Sequence, residues 1–522
     1  MTLALPNLPI FANAVAYAAK GNGIAIDDVR RSKQYTYRDL VYSAANLRAR
    51  LLGQKSDLGE ERIAILSPSG FAYVVCLWAV WAAGGVAVPL CTTHPLPEQQ
   101  YCVEDSQATL ILGHRVFEER IAALTGNTGL ENLVLDDVQI EFEKSAIPEL
   151  VDMDSHRKAL ILFTSGTTGK PKGAVTTHDT IDAQVSVLVE AWHWTPKDRI
   201  HHILPLHHVH GIINALNCAL YAGAVVEMHP KFDAAEVWDR WSATSASALT
   251  IFMSVPTVYA KLVNYYKTCT EEKQTKLQKA CGQFRFMVSG SASLPTPLLC
   301  AWRDISGHVL LERYGMTEIG MALSQPYDVD QRIEAIGLPL PGVHVRLIAD
   351  TEDGLGKDVT ETRDVPGMVQ VKGRSIFKEY WQRPEATKKE FTKDGWFITG
   401  DLAMRIQERG YYQILGRQST DIIKTGGEKV SALEIEREML SVPELGVHDV
   451  AVIGINDAEW GQRVSAVVVL EKDKSLDLAT MRQLLKPRLA VYKVPTQLEI
   501  VPELPKNAMG KVTKKTLVQL FQ

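Results

Sequence analysis

A chain of 522 residues is too long for one compact core, and its usage, 46% hydrophobic and 22% charged, is that of an ordinary soluble globular protein. Disordered, collagen-like and disulfide-scaffold classes are excluded, and a formal net charge of −5 points to no nucleic acid and no anionic membrane. Seven cysteines, at 76, 91, 102, 218, 269, 281 and 300, are odd in number and never form C-x-x-C. That pattern disfavours a disulfide framework or a zinc site and suits a reducing compartment.

In chain order, no basic residue precedes Lys20, so neither a secretory signal nor an Arg-rich transit peptide is expected. A cytoplasmic address is the default, with the mitochondrial matrix as the alternative if a presequence has been removed. Residues 73–90 are uncharged and reach transmembrane length, but Gly84, Gly85 and Pro89 interrupt them. A buried helix over 73–83, a Gly-Gly turn and a strand over 86–90 are predicted instead, so no membrane span is expected. Short apolar runs at 62–66, 108–112, 159–163, 225–228, 248–253 and 286–288 alternate with amphipathic stretches. These are the marks of parallel strands covered by helices on both faces, an α/β architecture.

Residues 350–366 turn charged, and short strands at 368–372, 404–407 and 411–415 then predict a small β-rich subdomain closing the large body. The last two flank a hairpin connection at 408–410. A last unit starts near Gly416 and Arg417. A strand and glycine turn over 421–429 lead to Ser431-Ala-Leu-Glu434, a capping box opening a helix to about residue 440. Strands near 447–455, 464–470 and 498–501 and a helix near 478–489 complete a small α+β domain. The predicted domains are therefore 1–417 and 418–522. From Glu471 onward, ten Lys/Arg stand against five Asp/Glu, a local excess that suits a lid over phosphates and, on charge alone, equally a solvated basic tail.

The most informative segment is the apolar run 159–163 followed by Thr164-Ser-Gly-Thr-Thr-Gly-Lys-Pro-Lys-Gly173. Small hydroxyls, flexible glycines and two lysines after a buried strand are the parts needed to hold a polyphosphate through backbone N–H groups and mobile cations. A Walker A loop fails on spacing. Counting five on from Gly166 lands on Pro171, and Lys170 is followed by proline rather than Ser or Thr.

This stretch resembles the signature of the adenylate-forming superfamily of acyl-CoA synthetases, peptide-synthetase adenylation domains and luciferases. Glu312-Arg-Tyr-Gly-Met-Thr-Glu318, Gly395-Trp-Phe-Ile-Thr-Gly-Asp401, Leu415-Gly-Arg417 and Pro505-Lys-Asn-Ala-Met-Gly-Lys511 follow in the family's order. With Gln34-Tyr-Thr-Tyr-Arg-Asp-Leu40 the likeness spans nearly the whole chain. It implies ATP, Mg²⁺ and coenzyme A, with a carboxylic acid first adenylated and then transferred to the thiol. ATP would be held by Thr164, Ser165, Gly166, Thr167, Thr168, Gly169, Lys172, Gly290, Ser291, Ala292, Gly315 and Thr317. Tyr314 would stack on adenine, Asp401 accept the ribose hydroxyls, Arg417 face phosphate and Glu318 hold Mg²⁺. Lys511 would stabilise the charge developing at phosphorus, and His208 and Thr317 would complete the catalytic set. Gly426 and Gly427 would face the pantetheine and Arg463 the phosphates of coenzyme A. The resemblance also implies a hinge two residues after Arg417, usually Asp or Lys; this chain has Ser419.

Pro205-Leu-His-His-Val-His-Gly211 matches the motif whose central His208 gates the acyl pocket. With His201 and His202 nearby, a metal site is weighed and set aside, on the expectation that no cysteine or carboxylate completes it. A wall containing His208 and His210 beside Arg313 suits a short polar acid, and a buried second carboxylate needs such a cation. The run 311–323 and the histidine segment look like malonyl-CoA synthetases in particular. Malonate is the expected acid, methylmalonate a second, and Lys261 a second cation; an ion pair between Arg313 and a neighbouring acid is the structural rival. Other acyl-CoA synthetases, a stand-alone enzyme loading a carrier protein, a luciferase-like oxidase and a non-catalytic acyl-nucleotide sensor are the alternatives.

Overall fold

A computed structural model describes residues 3–21, 23–141, 147–164, 170–243, 247–327, 335–351, 356–407, 409–426, 428–457, 459–506 and 512–521. Two large sheets form the body. In the seven-stranded one, Lys158–Thr164, Val86–Pro89, Arg62–Leu66, Leu110–His114 and Glu131–Leu135 run parallel in that spatial order. The edge beyond Lys158–Thr164 is antiparallel, formed by Lys172–Thr177 and Glu379–Tyr380. In the nine-stranded one the parallel core is Ile24–Asp28, Val225–Met228, Arg199–His202, Ile251–Ser254, Phe286–Ser289 and Leu311–Met316. Antiparallel strands close both of its ends.

The apolar runs read as strands become strands within two or three residues of their expected limits. Residues 73–90 fold as expected: Phe71–Ala82 is a helix with every residue buried, because its apolar character runs around its whole circumference. The turn after it requires glycine. At Gly84, φ is 76°, and a Cβ would lie 2.6 Å from both Arg157 Nη2 and Asp57 Oδ2. Among the described residues, no helix is long and apolar enough to cross a membrane.

The β-rich subdomain starts earlier than its composition indicates. Val343–Ala349 pairs with Gly367–Gly373, so the charged stretch from 350 onward is an excursion between two strands rather than a boundary. Phe397–Arg405 and Tyr412–Arg417 complete an antiparallel sheet of five. In the C-terminal region, Ile422–Thr425 and Glu428–Ser431 form the hairpin around the glycine turn. Ser431 caps helix Ala432–Leu440 by accepting from the Glu434 N–H. The expected capping box is only half made: the Glu434 carboxylate instead takes Lys493 Nζ, at 2.7 and 2.8 Å. Residues 423–494 share a hydrophobic cluster of their own, including Ile423, Val430, Ile435, Val452, Val468 and Met481.

One buried ion cluster pins the nine-stranded sheet. Glu227, with its side chain 3% exposed, accepts from Arg240 Nε and Nη2 at 2.6 Å each, from Arg199 Nη1 at 3.2 Å and lies 3.1 Å from His229 Nε2. Burial alone would raise its carboxyl, but the His229 and Arg240 hydrogen bonds hold it down at about 2. Glu227→Ala takes the carboxylate from the half-buried Arg240 and leaves Arg199 with Asp27 alone, and we expect a loss of about 2 kcal/mol in the first urea transition. A loss below about 1 kcal/mol would show that the cluster is not structural in this sense.

Candidate active site

The C-terminal ends of the parallel strands of the nine-stranded sheet converge on one place, where open α/β sheets form ligand crevices. Ser254 and Ser289 are paired across two strands, and Ser289 is paired with Glu312 on the next. Both serine hydroxyls are buried without a hydrogen-bond partner among the described residues.

Arg313 is 5% exposed and lies flat over Gly290; a Cβ at 290 would fall 2.5 Å from Arg313 Cζ. This close approach is why glycine stands there. Arg313 Nη1 donates to Met321 Sδ at 3.0 Å, while Nε and Nη2 are buried without partners. Among the described residues, no carboxylate lies within ion-pair distance, so the structural ion pair weighed for this residue is not present. Burial pushes the guanidinium down to about 9, still cationic at neutral pH. A buried, unpaired cation calls for an anion from outside the chain.

His210 is its neighbour in charge as well as in space. Its Nδ1 lies 3.4 Å from Ser291 Oγ, its Nε2 is buried without a partner, and burial together with Arg313 holds the ring neutral. Ser291 sits at φ 68°, a sparsely populated conformation for a residue with a side chain. His208 is partly exposed and packs against His207, the ring centroids 3.9 Å apart and the planes tilted by 50°. Lys261 is not brought to this group. It is exposed on helix Pro256–Lys267, its ammonium 5.8 Å from the Phe232 ring centroid.

Beside the pocket, strand Leu311–Met316 delivers Tyr314 to Asp401. Tyr314 Oη donates to Asp401 Oδ2 at 2.6 Å, and Arg417 Nε donates to Asp401 Oδ1 at 2.9 Å. Asp401 takes its direction from the backbone around it. It lies inside Phe397–Arg405, just after Gly400 at φ 75° and before a register shift, and this aims its carboxylate inward. Gly315 permits the adjoining hairpin, since a Cβ there would lie 2.1 Å from the Gly320 carbonyl oxygen. Thr317 is half-buried in that turn.

Glu318 is 4% exposed, its carboxyl raised by burial against the lowering influence of the Tyr380 hydroxyl, which donates to it at 2.7 Å. Lys172 Nζ lies 4.0 Å from the Tyr380 ring centroid and 3.8 Å from Glu390. The Thr164 hydroxyl donates to the Lys172 carbonyl at 3.3 Å, since the two residues face each other across an antiparallel pair. The glycine-rich stretch therefore joins two strands of a hairpin, unlike the strand-to-helix setting of a Walker A loop. Ser165, Gly166, Thr167, Thr168 and Gly169 lie outside the described residues, as do Gly427 and Lys511.

Ala292 is exposed next to Ser291. In the C-terminal region, Gly426 at φ 56° carries Trp460 against it, and Arg463 pairs with Asp457 across its own hairpin. Sequence reasoning missed Tyr380, Ser254, Ser289 and a buried triad in which Lys514 Nζ donates to Asp421 Oδ1 at 2.8 Å and pairs with Glu436 at 2.7 Å. Asp421 Oδ2 also accepts from the Arg417 N–H at 3.1 Å, which links the triad to the segment containing Ser419. Burial and register identify these residues; no local pattern in the sequence does.

The expectation that the histidines have no cysteine or carboxylate nearby is overturned. His201 lies with Glu227 and His229, and His207 with Cys91 and His94, contacts made across strands and sheets and therefore invisible to local spacing. His178 and His202 are held down at about 4 and His207 at about 2, in each case chiefly by burial. The unfolded chain therefore takes up protons first as pH falls through the ordinary histidine value of 6.5. Stability is fully present above that value and declines below it toward the folded-state values. Denaturation midpoints should accordingly drop between about pH 7 and pH 5. A flat profile in that window would contradict the neutral buried rings.

Residues 13–381 match the family model described as AMP-binding enzyme, and 434–511 match the AMP-binding enzyme C-terminal domain. Two curated relatives are named mitochondrial malonate–CoA ligases. The one from Mus musculus is 44% identical over 98% of this chain and 90% of its own length. The one from Homo sapiens is 42% identical over 98% and 92%. The solved structure of ATP-bound MatB from Rhodopseudomonas palustris is 35% identical, with a TM-score of 0.86, over 100% of this chain and 99% of its own.

Proposed function

Because this chain belongs to the AMP-binding enzyme family of adenylate-forming acyl-CoA synthetases, we propose that it ligates malonate to coenzyme A. Malonate and ATP give malonyl-adenylate and pyrophosphate; the thiol of coenzyme A then displaces AMP. The observation that carries the acid assignment is the buried Arg313 guanidinium with two unpartnered nitrogen atoms and no protein carboxylate beside it among the described residues. Malonate brings two carboxylates: one to react, the other to meet that cation in a two-pronged hydrogen bond. The relatives' printed names support the same acid. Methylmalonate adds one methyl group and is the proposed second substrate.

In this reading His208 and His210 line the acyl pocket, and a neutral His210 avoids placing a second cation against Arg313. Tyr314, Asp401 and Arg417 bind the adenosine side, with Gly290, Ser291, Ala292, Gly315 and Thr317 around the nucleotide. Thr164, Lys172 and residues 165–169 hold the phosphates. Glu318 is the buried carboxylate in a chain of polar groups running from Lys172 through Tyr380, which suits Mg²⁺, an ion that keeps waters and phosphate oxygens as its other ligands. Bound there, Mg²⁺ would neutralise phosphate charge. Lys511 stabilises the negative charge that develops as the acid attacks, and Thr317 is the third member of the catalytic set. The domain boundary is placed at 417/418, with rotation about the exposed turn containing Ser419 exchanging the two half-reactions. Gly426, Gly427 and Arg463 then face coenzyme A. The mitochondrial names of the animal relatives favour the matrix over the cytoplasm.

Two experiments test this. Acid-dependent AMP release with malonate, butyrate and octanoate should favour malonate. Arg313→Ala should lower kcat/KM for malonate by about tenfold to a hundredfold, the value of a charged hydrogen bond, and leave butyrate within about twofold. Equal losses for both acids would remove Arg313 from the acid site. Lys511→Ala should lose about two to three orders of magnitude in adenylation yet still convert added malonyl-adenylate to the thioester. Equal loss in both halves would overturn the role given to that lysine.

A further inference from the structure

Cys91, His94 and His207 place one thiol sulfur and two imidazole nitrogens within 4.8 Å of one another. The first two residues belong to a turn between strand Val86–Pro89 and helix Leu96–Asp105. That turn is held from behind. Gln99 Nε2 donates to the Cys91 carbonyl at 2.6 Å, and Arg120 Nη1 donates to the carbonyls of both Thr92 and His94 at 3.0 Å. His207 arrives from the other large sheet, in the segment following strand Arg199–His202, and the carbonyl just before it, on Leu206, accepts from Tyr73 Oη at 2.7 Å. Two independently braced segments thus present their ligand atoms to a common point.

The chemistry of the donors suits a metal ion. His94 Nδ1 lies 3.2 Å from Glu98 Oε2, which leaves Nε2 as the nitrogen available to an ion. A carboxylate behind a ligating imidazole fixes its tautomer and raises its basicity. Neither ring nitrogen of His207 has a hydrogen-bond partner among the described residues, so the ring has a nitrogen to offer an ion. Cys91 is buried, and its sulfur shares a hydrogen bond with Thr93 Oγ1 at 3.3 Å. One sulfur and two nitrogens select zinc-class ions over Mg²⁺ or Ca²⁺, which prefer oxygen. Ligand atoms in a tetrahedral zinc set lie roughly 3.3–3.8 Å apart, so side-chain rotations that close the present spacing by about 1 Å complete it and leave a fourth position for water. The other group, His201 with Glu227 and His229, is not comparable. Its carboxylate already serves Arg199 and Arg240, and His201 Nδ1 accepts from Trp241 Nε1 at 2.9 Å.

We propose that Cys91, His94 and His207 form a binding site for one zinc-class divalent ion, and that the ion slows acid activation by fixing the ring packed against His208. The second half rests on His208 lining the acyl pocket; the first does not.

The full-length protein, stripped with a chelator, is titrated with Co²⁺ as the optical probe, without substrate. A thiolate-to-cobalt charge-transfer band and intense visible bands of a tetrahedral ion are expected at one equivalent. Both should be lost in Cys91→Ser and His94→Ala, while Glu98→Gln weakens binding about tenfold. Absence of the charge-transfer band, or its persistence in Cys91→Ser, overturns the site. With Mg²⁺ in excess, added Zn²⁺ should then slow malonate-dependent pyrophosphate exchange several-fold in the wild type, reversibly by chelation, and have no effect on the two ligand variants. Equal slowing in the variants overturns the regulatory half. Because the Co²⁺ titration uses no acid, its outcome is independent of whether malonate is the substrate.

Discussion

The carboxylate of Asp401 is the joint on which the arrangement depends. One oxygen takes the Tyr314 hydroxyl from the nine-stranded sheet, and the other takes Arg417 at the end of the five-stranded sheet. Both are hydrogen bonds to an ionised acceptor, the stronger kind, and both are largely removed from water. The strand that delivers Tyr314 also carries Arg313 before it and leads into the turn bearing Glu318, so the acid pocket and the polar chain through Tyr380 to Lys172 inherit their positions from the same contact. Past Arg417, the main-chain N–H reaches Asp421, and Asp421 reaches Lys514. A single carboxylate thereby relates the body to the segment where the C-terminal region begins.

Much of the fold was legible because its parallel strands are buried on both faces and read as continuous apolar runs. Val225–Met228 and Arg62–Leu66 fall where composition puts them, since nothing but burial decides them. The helix Phe71–Ala82 was separable from a membrane span by the glycine pair behind it. What was not legible is pairing. The charged residues after 350 look like a boundary, yet Val343–Ala349 already belongs to the sheet that follows. Antiparallel closure of both large sheets likewise depends on distant partners.

The site divides along the same line. Motif residues such as Tyr314, Asp401 and Arg417 were found because their spacing is local, and the structure brings them together. Tyr380 and Ser289 come from segments with no motif of their own and were missed. A glycine such as Gly400 normally punctuates a strand; here it turns the chain within one, which only the pairing of that strand reveals. The neighbours of His201 and His207 could not be anticipated, since Cys91 and Glu227 approach them only through tertiary packing. Lys261, expected as a second cation, lies within helix Pro256–Lys267, where helical phase turns it to solvent.

The guanidinium over Gly290 has one further consequence. Without a guest, the protein holds here a positive charge shielded from water and from any carboxylate of the described chain, an electrostatic strain at the place where the proposed reading seats the acid. A dianionic guest relieves that strain, and since it binds only the folded form, recognition and folding are thermodynamically coupled. Sequence changes that neutralise position 313 would make the empty protein sturdier and less discerning at once, so robustness and selectivity are opposed at this residue.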